Sequence, residues 1–231
     1  MTNQKKKVIP IPRATLNLAA RTNISRLSRR LQDIPEPLLL NLGSGERFIG
    51  ADCLAPEIGR RMVNFDIFAY AATDVVGDAH LLPFGQDTFH AIVCQAVLEH
   101  TRRPELVVEE IHRVLKTGGF LYAEVPFLQG YHATPRDFYR YTLEGLDELF
   151  FKFAKIDAGV CVGPSSSVSW LLREYIVGLL TWFTPSHPMK TPATVVAGWL
   201  TFPLKYLDFF LVRRPGAHSI ASGLYFFGRK A

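Results

Sequence analysis

Four short stretches of this chain carry residue types that could hold a nucleoside, and each comes directly after an apolar run. Gly43, Ser44 and Gly45 follow residues 38–42; the two glycines would let the backbone turn tightly and approach a ligand that any side chain would block. Asp66 follows the run at 62–65, where a carboxylate can accept both hydroxyls of a ribose. Asp78, with Ala79 behind it, follows the run at 74–76, placed to accept from an exocyclic amine while the backbone meets a ring edge. Gln95 follows the run at 91–94. Singly, each signal has an ordinary reading: a Gly-Ser-Gly is also a plain turn, and an aspartate ending a strand also caps a helix or turn. The weight lies in their order and spacing. A dinucleotide fingerprint would need a third glycine where Phe48 stands, which disfavours that reading.

The elements needed to position these residues are legible around them. Short apolar runs at 38–42, 62–65, 74–76, 91–94 and 120–125 read as buried strands. Residues 104–116 place Val107, Ile111, Val114 and Leu115 on one face, with Pro104 at a first helical position and Gly118 as the stop, so a helix is predicted there. The stretch between Asp66 and Asp78 is too short for a full crossover helix and predicts a loop. Strands alternating with helices or loops imply right-handed crossovers and a doubly wound, mostly parallel α/β sheet. In such a sheet ligands sit at the carboxyl ends of the strands, where the residues above cluster.

At 231 residues, with 48% hydrophobic and 20% charged residues, the chain can bury one substantial core. Residues 35–231 are expected to form it, preceded by a basic arm and helix over 1–34. Cys53, Cys94 and Cys161 show neither a disulfide framework nor a metal-ligand spacing, so no metal is expected and a reducing cytoplasm fits; Cys94 reads as a core residue. No secretion signal is read at the start of the chain. Eight of the 26 basic residues, Lys5, Lys6, Lys7, Arg13, Arg21, Arg26, Arg29 and Arg30, precede the first acidic residue, Asp33; the other 18 face 21 acidic residues. The body is therefore mildly acidic, and the cationic arm reads as a solvated flexible tail or as a segment attracting anionic lipid headgroups or nucleic acid, the last disfavoured by the acidic body. Leu16, Ala19, Ala20, Ile24, Leu27 and Leu31 predict an amphipathic helix over 14–31. Past Phe150 a strand at 155–162, apolar helices at 168–183 and 193–212, and a last strand at 221–227 are expected. Pro203, Lys205 and Asp208 make the second apolar stretch costly in hydrocarbon, so the helices are expected to lie on the fold or on a membrane surface.

The motifs from Leu38 to about Leu149 resemble the class I S-adenosylmethionine-dependent methyltransferases of the small type 11 group. They are Asn41-Leu42-Gly43-Ser44-Gly45, Asp66 in Asn64-Phe65-Asp66-Ile67, Gly77-Asp78-Ala79-His80-Leu81-Leu82-Pro83-Phe84, Asp87-Thr88-Phe89-His90-Ala91-Ile92, Val97-Leu98-Glu99-His100, and the run from Glu110 to Gly119. The resemblance implies a seven-stranded Rossmann-like sheet with an apolar helical insertion, about 167–213, before the last strand. It also implies a site for S-adenosylmethionine: Gly43, Ser44 and Gly45 around the methionine part, Asp66 on the ribose, Asp78 and Ala79 on the adenine, and Gln95 lining the cleft. Asn41 stands where the family usually has an acidic residue, and its amide can still bond the cofactor's ammonium; Arg47 stands where a third glycine is common.

Methyl transfer is a displacement at a sulfonium carbon, so alignment of acceptor and donor supplies much of the rate, and a hydroxyl acceptor gains from a general base. The stretch 126–142 resembles the acceptor-side loop of small-molecule and glycan methyltransferases. His132 is the first candidate base, or else a loop histidine bound only to backbone. His100 is the weaker candidate, the matching family histidine often orienting a loop. Tyr131, Asp137 and Arg140 are candidate acceptor contacts, the last two also readable as a structural pair. The expected acceptor is a glycan or lipid-linked sugar precursor of surface polysaccharide, O-methylated at the inner face of a membrane. A lipophilic small molecule such as a quinone precursor, and a non-catalytic membrane-peripheral protein on the same fold, are the alternatives. Nucleic acid is disfavoured by the acidic body and by Gln95-Ala96-Val97-Leu98 standing where an Asn-Pro-Pro-Tyr-like motif would be.

Overall fold

The structure is a computed structural model that describes residues 10–46, 48–133, 135–182 and 190–231. Its seven strands are β1 Leu39–Leu42, β2 Met62–Asp66, β3 Val75–Val76, β4 Phe89–Gln95, β5 Leu115–Pro126, β6 Phe153–Val162 and β7 Gly223–Lys230, in the order β3-β2-β1-β4-β5-β7-β6. β7 runs antiparallel to both its neighbours and every other pairing is parallel, which is the doubly wound, mostly parallel sheet expected. The stretch between Asp66 and Asp78 contains only turns and the short β3, as its length required.

Both faces of the sheet are covered, which is why β1 is buried throughout and β4 from Ala91 to Cys94, on consecutive residues and not on alternate ones. Leu40, Leu42, Ile92 and Cys94 face a core with α3, Pro104–Val114, and α4, Leu143–Leu149; Leu39, Ala91 and Val93 face the other, under α1, Ala20–Leu31, and Ile58 of the short α2, Pro56–Arg60. Ile24, Leu27 and Leu31 of α1 are fully buried, and three such side chains contribute about 5–8 kcal/mol. The basic amphipathic helix is thus part of the fold. It starts at Ala20 and not at Ala14, because residues 16–18 are taken up by tertiary bonds: Leu16 N to Ser166 Oγ at 3.1 Å and Leu18 N to Cys161 O at 2.9 Å. The Asn17 side-chain oxygen then accepts from the amides of Ala19 and Ala20, at 3.1 and 2.8 Å, and opens the helix. Several of the arm's arginines are engaged on the fold: Arg26 pairs with Asp157 at 2.6 Å, Arg21 pairs with Asp52 at 2.6 Å, and Arg30 lies 5.3 Å from the Phe120 ring. Lys5, Lys6 and Lys7 lie outside the described residues, as does Arg47.

Three boundaries differ from expectation for physical reasons. α3 ends at Val114, not Lys116, because Leu115 pairs with Phe89 and opens β5. The first apolar helix, α5, begins at Pro164 and ends at Leu180; Asp208, fully buried, accepts from the amides of Ser165 and Ser166 at 2.7 and 2.9 Å and caps it from a distant element. The second apolar stretch breaks at Pro203, which cannot supply a helical amide, giving α6, Lys190–Thr201, a 3-10 turn and α7, Asp208–Leu211. Lys205 Nζ donates to Arg13 O at 2.8 Å, so both charged groups in this stretch are hydrogen-bonded. No helix among the described residues is long and apolar enough to cross a membrane.

Candidate active site

Parallel register brings the strand tips together. Leu42 is level with Phe65 on β2 and with Cys94 on β4, so the residues that follow each strand emerge side by side. Gly43, Gly45, Asp66, Asp78 and Ala79 share the wall of one cleft of about 350 Å³. The glycine bend is held by the amides of Gly43 and Ser44, both donating to Phe65 O, at 2.8 and 3.0 Å. Gly43 has φ +72°, and a Cβ there would stand 2.1 Å from Val97 Cγ2, so only glycine fits. Asp66 accepts from the Gly45 amide at 2.8 Å on one oxygen and from the Phe68 amide at 2.9 Å on the other. Each oxygen keeps a lone pair for a ligand hydroxyl.

Asp78 is also on the cleft wall, where the His80 amide donates to it at 2.9 Å and the His80 ring nitrogen lies 2.6 Å away. The amide first, and then the ring, hold its carboxyl below the ordinary range. The loop that follows is clamped to α3. Glu110 accepts from the Leu82 amide at 2.8 Å, and Arg113 donates to the carbonyls of Phe84 and Leu82 at 2.8 and 3.0 Å while pairing with Glu110 at 2.6 Å. Between β4 and the cleft, Ala96 sits at φ +54°, a left-handed backbone that costs a non-glycine residue about 1–2 kcal/mol. Its strain presents Ala96 and Val97 to the cavity.

Three of the sequence candidates lie beside the cleft, not on its wall. Asn41 gives its amide to Asn64 Oδ1 at 2.9 Å. Gln95 Nε2 reaches Ile49 O at 3.3 Å. Ser44 Oγ is buried without a partner among the described residues, a hydroxyl directly behind the glycine bend.

The acceptor-side residues separate into two groups. Asp137 and Arg140 form a bidentate pair at 2.5 and 2.6 Å, and Arg140 holds the Asp137 carboxyl well below the usual carboxylate range. Asp137 also accepts from the His132 amide at 2.9 Å, so the pair shapes the loop; Tyr131 projects into solvent. His100 lines the cleft, and His132 stands behind it with ring centroids 5.3 Å apart, against Trp170 of α5. Glu99 faces both histidines from full burial, and its carboxylate, against the cost of burial, raises the His132 pKa above the ordinary histidine value. Glu99 drew no role from the sequence, although a carboxylate at the end of the apolar run Ala96-Val97-Leu98 was the available signal. Arg102, Arg136 and Phe138, also on the cleft wall, had no signal of spacing at all.

A strand-tip cleft of this kind on this sheet defines the class: the fold is that of the class I S-adenosylmethionine-dependent methyltransferases. Residues 40–123, the stretch in which the motifs lie, match the family model described as a methyltransferase domain. Over 93 residues it is 36% identical to the biotin biosynthesis bifunctional protein BioHC of Cellvibrio japonicus, covering 36% of this chain and 18% of that protein. The chain thus spans less than a fifth of that relative's length. Phosphoethanolamine N-methyltransferase 2 of Haemonchus contortus, in complex with S-adenosyl-L-methionine, superposes with TM-score 0.57 at 19% identity, over 90% of this chain and 52% of that one. The 1,6-didemethyltoxoflavin-N1-methyltransferase of Burkholderia thailandensis gives 0.55 at 16%, over 93% and 79%. The [4+2]-cyclase SpnF gives 0.54 at 18%, over 90% and 80%. At such identities the likeness is one of fold, and the presence of a cyclase shows that the fold leaves the reaction open.

Proposed function

We propose that this chain transfers a methyl group from S-adenosylmethionine to an oxygen of a glycan or lipid-linked sugar precursor used in surface polysaccharide, working at the inner face of a membrane. The convergence of Gly43, Gly45, Asp66, Asp78 and Ala79 on one cleft carries the first half of that reading. The residues fit the cofactor: the bend admits close backbone approach, Ser44 Oγ just behind it has no partner among the described residues, and Asp66 has oxygens to spare for a ribose. Asp78 and Ala79 would take the adenine end. When bound, the cofactor supplies a methyl group on a sulfonium, open to displacement by the acceptor oxygen. The chain's part is to align that oxygen and accept its proton, a role that falls to the cluster of Glu99, His100 and His132 at the acceptor end.

The acceptor reading is supported by α5, α6 and α7, the insertion between β6 and β7. They leave Leu179, Leu180, Trp182, Trp199, Phe209 and Phe210 exposed, apolar side chains that a lipid surface could cover. The same insertion touches the acceptor loop through Trp170 and His132, so a lipid-anchored substrate could reach the cleft along it. Arg102 and Arg136 on the wall suit an acidic substrate. The aromatic wall of Phe68, Tyr70 and Phe138 favours a second reading, a lipophilic small molecule such as a quinone precursor. Labelled methyl donor, offered with membrane extract and with purified glycans, should place label in lipid-linked sugar. Label confined to an apolar small molecule selects the second reading. Calorimetry showing no binding of S-adenosylhomocysteine would sink both and leave a non-catalytic protein.

A further inference from the structure

The cluster at the acceptor end has an electrostatic peculiarity. Glu99 is 0% exposed, and neither of its carboxylate oxygens has a hydrogen-bond donor among the described residues. His100 Nε2 and His132 Nε2 both face it, each 3.8 Å from Oε1, beyond hydrogen-bond reach. The tautomers follow from the other ring nitrogens. His100 Nδ1 lies 2.5 Å from Arg136 O and His132 Nδ1 lies 3.0 Å from Gly130 O. A carbonyl can only accept, so both Nδ1 atoms carry hydrogen, and in neutral imidazoles both Nε2 atoms are lone pairs. While both rings are neutral, two lone pairs and a buried carboxylate converge with no proton donor between them, so the charge of the carboxylate is met either by a proton on His132 or by a bound cation.

We propose that Glu99, His100 and His132 bind a divalent first-row transition ion, with zinc as the fitting probe. Two imidazoles and one carboxylate are a donor set for such ions. The ligand atoms all lie within 4.8 Å of one another. A tetrahedral zinc with bonds near 2.0–2.1 Å would hold its ligands about 3.3 Å apart, so each histidine–carboxylate gap would close by about half an ångström and the widest ligand pair by at most about 1.5 Å. The backing of each ring is that of a metal ligand: Nδ1–H donates to a backbone carbonyl, and Asp137 Oδ2, pinned by Arg140, stands 3.6 Å behind His132. Three protein ligands leave a position open, and His100 places the ion on the wall of the cofactor cleft. With the ion bound the ligand nitrogens no longer accept the acceptor's proton and the ion takes over that role: a hydroxyl coordinated there would ionise more readily, its proton passing to solvent, which would prepare the acceptor oxygen for attack. That use of the ion rests on the methyl transfer proposed above; the binding of the ion does not.

The test uses tag-free full chain, stripped with chelator and titrated with zinc by calorimetry, with cobalt substitution read by its visible d–d absorption. One ion per chain is expected, with Glu99→Gln and His132→Asn each weakening zinc by about 100-fold and abolishing the tetrahedral cobalt spectrum. S-adenosylhomocysteine binding reports folding of each variant and separates the two proposals. Because Glu99 is buried, His132→Asn on the cluster's rim decides if Glu99→Gln does not fold. Cofactor product bound without any stoichiometric zinc, or zinc held equally by both variants, overturns the metal site and leaves the cluster as a proton trap. Zinc bound without S-adenosylhomocysteine keeps the site and removes the methyltransferase reading.

Discussion

Gly43→Ala tests the cleft at its tightest point. The residue sits at φ +72°, where a side chain costs about 1–2 kcal/mol. The new Cβ would also stand 2.1 Å from Val97 Cγ2, with Cβ and Cγ1 of the same valine at 3.4 and 3.5 Å. Rotating Val97 relieves the clash only in the rotamer that turns its Cβ hydrogen toward Gly43, a choice that β-branching restricts. Overpacking of this kind costs about 1–3 kcal/mol, so the substitution should destabilise by about 2–5 kcal/mol in all. If the bend shifts to relieve the clash, about 2 kcal/mol of that cost appears in ligand binding, a loss of about 30-fold. Urea unfolding followed by circular dichroism gives the first quantity, and calorimetry with S-adenosylhomocysteine gives the second. Val97→Ala in the same chain removes the clashing methyls and should recover about 1–3 kcal/mol, the coupling expected of touching residues, leaving only the backbone strain. A Gly43→Ala protein that binds and unfolds as the parent does, or that gains nothing from Val97→Ala, would refute the reasoning.

Asp66→Ala should cost cofactor affinity about 100-fold or more by calorimetry, since the charged acceptor of the Gly45 and Phe68 amides goes along with the ribose contact. Asp208→Ala strips three bonds at the start of α5, to Ser165 N, Ser166 N and Ser166 Oγ. A loss of about 3 kcal/mol and of about 10 °C in melting temperature is expected by calorimetric scan, with the cofactor cleft unaffected. For Glu110, pairing with Arg113 lowers the carboxyl pKa in the folded chain. The stability it contributes is therefore present above the unfolded value, about pH 4.3, and lost as pH falls through the folded one. In Glu110→Gln that acid-dependent part should vanish, so the stability gap to the parent narrows from pH 6 to pH 3 in urea titrations.

What the sequence determined is whatever depends on local pattern. Apolar runs ended by Gly43, Asp66, Asp78 and Gln95 announced strands with polar tips, and the period of Val107, Ile111 and Val114 announced α3, because burial on one or both faces dictates those patterns. The cofactor side of the cleft was legible for that reason: each of its residues directly follows its own strand. Contacts between distant segments left no such trace. That Asp208 would cap a helix starting 44 residues earlier, that Asn17 would dock on β6, and that α1 would cover a sheet face were decided by packing. Asn41 shows the limit at a single position, since its motif placed it by the cofactor while its neighbour across the strand, Asn64, claimed its amide. The acceptor end shows it most sharply. Glu99 and His100 are adjacent in sequence, but His132 joins them only because the loop held by Asp137 and Arg140 folds back over the strand tips, and no spacing along a chain encodes that meeting.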